Sequence, residues 1–116
     1  MALTPHMVTV DCADPHKLAA FWTAAAGYEL EADHGTFLVL CPASGEGLRM
    51  GLQQVSEPRV GKNRVHIDFV VADRLAEVGR LVTLGATVQD EHVVPGFSWT
   101  VLSDPDGNEF CVAGHG

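Results

Sequence analysis

Two stretches of this chain carry the same punctuation, and together they restrict it to a duplicated strand–helix unit. In Asp14-Pro15-His16-Lys17-Leu18-Ala19-Ala20-Phe21-Trp22-Thr23-Ala24-Ala25-Ala26-Gly27 an N-cap Asp, a Pro at the first helical position and a closing Gly bracket a helix. Leu18, Phe21, Trp22 and Ala25 recur at three- and four-residue steps, so one stripe is apolar and must lie on something, and Trp22 reads as core. Asp73 caps a second helix, Leu75, Val78, Leu81 and Val82 form its stripe, and Gly85 ends it. A stretch rich in β-branched residues precedes each helix, residues 7–12 and 65–71. Laying the chain on itself so that Asp14 falls on Asp73 brings Gly27 within one residue of Gly85, an offset of about half the length.

Three further extended stretches follow each helix. They are 28–32, 36–41 and 48–55 in the first half, and 87–90, 98–103 and 108–113 in the second. Asp104-Pro105-Asp106-Gly107 supplies the turn between the last two, as Pro42-Ala43-Ser44-Gly45 does earlier. The expectation is an α+β chain of two tandem βαβββ modules, 1–57 and 64–116, joined by a Pro-, Gly- and charge-bearing linker at 58–63, all within one domain.

Composition narrows the function classes. A chain of 116 residues, 47% of them apolar, buries one core. Its longest apolar runs fall short of the ~20 residues a membrane helix needs. The first residues lack a basic segment followed by an apolar one, so no secretory signal is expected and a cytoplasmic location is. Seven basic residues against fifteen acidic ones, a formal charge of −8, repel a phosphate backbone and argue against nucleic acid. Cys12, Cys41 and Cys111 are odd in number and widely spaced, which suits free thiols. No nucleophile elbow or phosphate loop is present.

The repeated order, the Asp-led helices and the closing Asp-Pro-Asp-Gly-Asn-Glu-Phe hairpin resemble the vicinal oxygen chelate (glyoxalase/bleomycin resistance/dioxygenase) superfamily. Lys62-Asn63-Arg64-Val65-His66-Ile67-Asp68 and Phe21-Trp22 resemble its short glyoxalase-like subfamily. The resemblance implies a curved mixed sheet, helices on its convex side, a ligand cavity on its concave side, and a homodimer.

Strand alternation then selects the cavity residues. In the first strand Val8, Val10 and Cys12 fit the helix side, leaving Met7, Thr9 and Asp11 for the cavity. In the fifth, Val65, Ile67, Phe69 and Val71 form the apolar set, leaving Arg64, His66, Asp68 and Val70 opposite. An Arg, a His and an Asp spaced by two make either a ligand site or a self-satisfied row of ion pairs. Trp99, alternating with Val101, is either a cavity wall that stacks a planar ligand or a core aromatic.

Metal-dependent relatives take ligands from four places, and the resemblance carries them over one by one. His66, seven residues before Asp73, matches a family His; Gln53 matches the module-one position. Met7 stands where the first His would be, beside His6, and Cys111 stands four residues after Gly107 where a Glu would be, with Glu109 two residues earlier. A catalytic divalent site wants about three protein ligands plus an open position. The leading expectation is therefore a protein that binds a small organic molecule without a full metal site, contacted by Arg64, His66, Asp68, Gln53, Thr9, Asp11, Met7, Cys111 and Trp99. The alternative is a lyase, isomerase or dioxygenase in which His66 acts as base, oriented by Asp68, or holds a divalent metal with Gln53 and Cys111. A third reading, an interaction protein whose concave face closes on a dimer mate, leaves no ligand room.

Overall fold

Both helices start and stop where their local chemistry dictates. In the computed structural model, which describes residues 3–58 and 60–114, α1 runs Pro15–Ala26 and α2 Arg74–Leu84. Asp14 and Asp73 each accept a backbone N–H three residues on, from Lys17 (3.2 Å) and Ala76 (3.1 Å). Gly27 closes α1 with φ 68°, a left-handed conformation that an L side chain resists.

The strands are β1 (Met7–Cys12), β2 (Tyr28–Asp33), β3 (Phe37–Pro42), β4 (Arg49–Gln54), β5 (Ile67–Val70), β6 (Thr87–Val94), β7 (Phe97–Ser103) and β8 (Glu109–Gly114). They form two four-stranded mixed sheets of the same design, ordered β1-β4-β3-β2 and β5-β8-β7-β6, with the first strand of each parallel to the last. The chain divides into two units, residues 1–58 and 59–116, each a sheet with one helix on one face.

In the first unit α1 seats Leu18, Phe21 and Trp22 on the face that carries Leu38, Leu40, Met50, Leu52 and Cys12, all buried. Phe21 and Trp22 meet edge to face at 5.0 Å. The alternation expected of the first strand holds, with Thr9 and Asp11 exposed and Cys12 buried.

The second unit departs from expectation in three places. The stripe expected on α2 is only half of its buried face: Leu81 is buried and Val78 half-buried, but Leu75 is 62% and Val82 46% exposed, and Arg74 is buried in their place. Arg74 displaces the pattern because its guanidinium reaches beneath the sheet, donating to Thr100 Oγ1 (2.7 Å) and Glu91 Oε2 (3.1 Å). The fifth strand begins at Ile67 rather than 65, and Val65 is exposed. Asn63 explains the shortening, since its backbone N–H donates to the Glu109 carboxylate and its amide to the Glu109 carbonyl, holding the chain off the ladder. The sixth strand runs on to Val94, past a bulge between Val88 and Asp90. The closing turn is as expected: the buried Asp104 accepts from the N–H groups of Asp106 (3.0 Å) and Asn108 (2.9 Å).

Candidate functional site

Register decides which side chains share the face opposite each helix. In the second unit the helix side carries Ser98, Thr100 and Leu102 of β7, all buried beneath α2. The helix-free face is therefore read from their neighbours. One row across the sheet is Asp68, Cys111, Val101 and Asp90, and the next is Val70, Ala113, Trp99 and His92.

At the β5 edge of the first row, His66 Nδ1 lies 3.3 Å from Asp68 Oδ1 and 3.8 Å from Cys111 Sγ. One donor atom from each of the three falls within 4.8 Å of the others. His66 and Asp68 are exposed while Cys111 is buried. Burial pushes the Cys111 thiol up from 9.0 to about 11, helped by its hydrogen bond to Asp68 and the negative charges of Asp68 and Glu109; Lys62 opposes this. At the β6 edge, His92 stacks on Trp99 with ring centroids 4.8 Å apart and planes at 17°. Its Nε2 lies 3.1 Å from Asp90 Oδ2, and Phe97 tilts toward Trp99 at 6.1 Å.

The first unit presents a different face. Met7 pairs with Arg49, Thr9 with Gly51 and Asp11 with Gln53. The Phe37 ring and Thr9 Oγ1 fill the space over Gly51, where a Cβ would lie 2.9 Å from each, so only glycine fits without movement. Gln53 spends its NH₂ on the carbonyls of Thr36 (3.3 Å) and Gln54 (3.1 Å). Arg49 Nε donates to Glu31 Oε2 at 2.7 Å, which lowers the Glu31 pKa. Cys41 beside them is raised by burial and by Glu31.

Of the residues singled out by sequence, His66, Asp68, Cys111 and Trp99 thus belong to the second sheet or its entry, and Met7, Thr9, Asp11 and Gln53 to the first. Arg64 and His66 lie ahead of β5, so the expected row of Arg64, His66 and Asp68 on one strand face reduces to Asp68 within the strand and His66 reaching it from the approach. Arg64 is exposed. Among the described residues, His66, Asp68 and Cys111 form a trio of potential His, Cys or carboxylate metal ligands, joining Asp68 to two residues expected as ligands from the sequence. Sequence reasoning also missed His92; its signal was the Asp90–His92 spacing of two, a mirror of His66–Asp68.

The two-sheet architecture is that of the glyoxalase/bleomycin resistance/dioxygenase superfamily. A glyoxalase/bleomycin resistance protein/dioxygenase family enzyme from Burkholderia phytofirmans superposes with a TM-score of 0.77 at 19% identity, over 94% of this chain and 96% of that one. A superfamily member from Sphaerobacter thermophilus gives 0.75 at 22% identity, over 98% of each. A mutant of the genomically encoded fosfomycin resistance protein of Listeria monocytogenes, in complex with Mn(II) and 1S,2S-dihydroxypropylphosphonic acid, gives 0.77 at 18%, over 97% of this chain and 89% of that one. At these identities the likeness is one of fold. The family model for the glyoxalase-like domain matches residues 7–113, and the chain belongs to that family. No curated protein matches it. No helix among the described residues is long and apolar enough to cross a membrane.

Proposed function

We propose that this chain binds a small planar organic molecule against the helix-free face of its second sheet. The observation that carries the reading is Trp99: its indole is half-buried on that face and stacked on His92, where it presents a rigid apolar wall beside polar groups. Asp68 provides a hydrogen-bonding group one row away, with His66 reaching it from the approach to β5, where Arg64 also lies. Modules 1–57 and 64–116 with the linker 58–63 act here as one cytoplasmic domain, paired as a homodimer. The test follows the Trp99 indole N–H by NMR while planar metabolites are added. Saturable shifts of that signal, accompanied by shifts at the backbone amides of its strand partners His92 and Ala113 that vanish in Trp99→Leu while the unfolding midpoint is retained, support it; no shift with any planar compound overturns it.

A second reading is favoured by the His66–Asp68–Cys111 trio. Separations of 3.3 and 3.8 Å match the edges of a tetrahedron with zinc bonds of about 2.0–2.3 Å, and imidazole, carboxylate and thiolate suit that ion. A bound zinc ion would supply a Lewis acid with an open fourth position. Independently of an ion, Asp68 at 3.3 Å orients the His66 ring and so fixes which nitrogen carries its proton. Elemental analysis of the purified protein and of His66→Ala decides: stoichiometric metal that disappears with His66 establishes the site, and equal metal in both proteins rules it out.

A further inference from the structure

The charges around Trp99 carry the reading one step further, to the class of ligand. The sheet order puts β5 and β6 at opposite edges of the second unit. Basic residues gather by the β5 edge, where Lys62 and Arg64 precede the strand and Lys62 is close enough to Cys111 to lower its pKa. The aromatic residues gather at the β6 edge, and the acid beside them is Asp90. None of the paired positions on the helix-free face is Lys or Arg.

Asp90 accepts from the Glu91 N–H at 2.9 Å through Oδ1 and meets His92 through Oδ2, yet its side chain is 63% exposed. A carboxylate has about four acceptor positions, so this one keeps capacity for a further donor or a cation. Phe97 and the His92 side chain are each 42% exposed, so the rim of the aromatic group is accessible. Indole is the best of the side-chain rings for a cation, and its face attracts positive charge while giving an anion nothing. The chain's charge of −8 adds an attractive field for the same sign of ligand.

The geometry points to a planar organic cation, such as a quaternised or protonated heteroaromatic ring, as the ligand of this face, stacked with Trp99, His92 and Phe97 with its charge directed to Asp90. This assignment rests on the binding reading above and specifies it. Three probes of one shape separate the two claims: 1-methylquinolinium, neutral 1-methylnaphthalene and anionic 1-naphthoate, each titrated against the Trp99 indole N–H. The cation should half-saturate at a concentration about tenfold below that of the neutral isostere, with the anion weakest. Asp90→Asn, which keeps the acceptor for Glu91, should shrink that ratio to about twofold and leave the neutral probe's midpoint unchanged. A neutral or anionic probe that binds as tightly as the cation, or a ratio unmoved by Asp90→Asn, overturns the cation assignment and leaves the planar-ligand reading standing. Silence from all three probes removes both.

Discussion

The two modules share a strand order and differ in what lies on each face of the sheet. Matching the paired positions of the two sheets, Val8 with Met50 onto Ile67 with Phe110, sets Gly51 on Cys111 and Phe37 on Trp99. The first module covers its glycine with the Phe37 ring and closes the space. The second puts a thiol there, within reach of His66 and Asp68, and leaves its aromatic beside an imidazole. Beneath the sheets the contrast reverses: α1 is anchored by Phe21 and Trp22, α2 by a buried arginine bonded to a threonine hydroxyl and a carboxylate. One module thus sets a dry helix seat beneath a covered glycine, and the other gathers a thiol, an imidazole and a carboxylate at the matching place.

The largest expected effect tests the dry seat. Trp22→Ala, at a site 3% exposed, should cost about 3–5 kcal/mol in urea-induced unfolding; a loss below 1 kcal/mol would erase the distinction between the two helices. Arg74→Ala should cost about 2–3 kcal/mol, because it strands the Thr100 hydroxyl, which is fully buried. If Arg74→Met were neutral where Arg74→Ala is costly, the aliphatic stem rather than the guanidinium would be the anchor. Gly51→Ala should cost about 1–3 kcal/mol by overpacking against Phe37, and Gly51→Ala combined with Phe37→Leu should recover much of it.

A smaller effect belongs to pH. The Cys111 thiol is raised in the folded protein, so folding favours its neutral form; that contribution is whole below the ordinary value of 9.0 and is lost as pH rises through about 11. Unfolding midpoints should fall across this window in the parent and fall less in Cys111→Ala; parallel profiles would show that Cys111 ionises as freely as an exposed thiol. The smallest change is Val82→Ala on the outer side of α2, 46% exposed, which should stay within about 0.5 kcal/mol of the parent.

These contrasts also mark what sequence could and could not reveal. Helix ends were legible because Asp14, Asp73 and Gly27 act on backbone groups within a few residues of themselves. The buried side of α2 was legible only in Val78 and Leu81. Periodicity weighs Leu75 above Arg74, and what reverses the choice is Thr100, a partner on a distant strand. The stretch expected at 87–90 stops at Asp90, and its continuation through Glu91 and His92 to Val94 emerges only from the bulge and the pairing with β7. The same holds for the site. His66 and Asp68 announce themselves by spacing along the chain, whereas the His92–Trp99 stack exists only through their cross-strand register.

The parallel pairing of β1 with β4 and of β5 with β8 has a consequence for how the chain is made. The first strand of each module has no other neighbour in its sheet, so it must wait, unpaired, until the last strand has been synthesised. Hairpins β2–β3 and β6–β7 close locally and early, but the ladder that holds Met7–Cys12 cannot form before Arg49–Gln54 leaves the ribosome, nor that of Ile67–Val70 before Glu109–Gly114. A nascent chain therefore completes each sheet only in a late step. A stop codon falling anywhere between residues 70 and 109 would yield a polypeptide whose second half has an orphan edge ready to pair with a stranger.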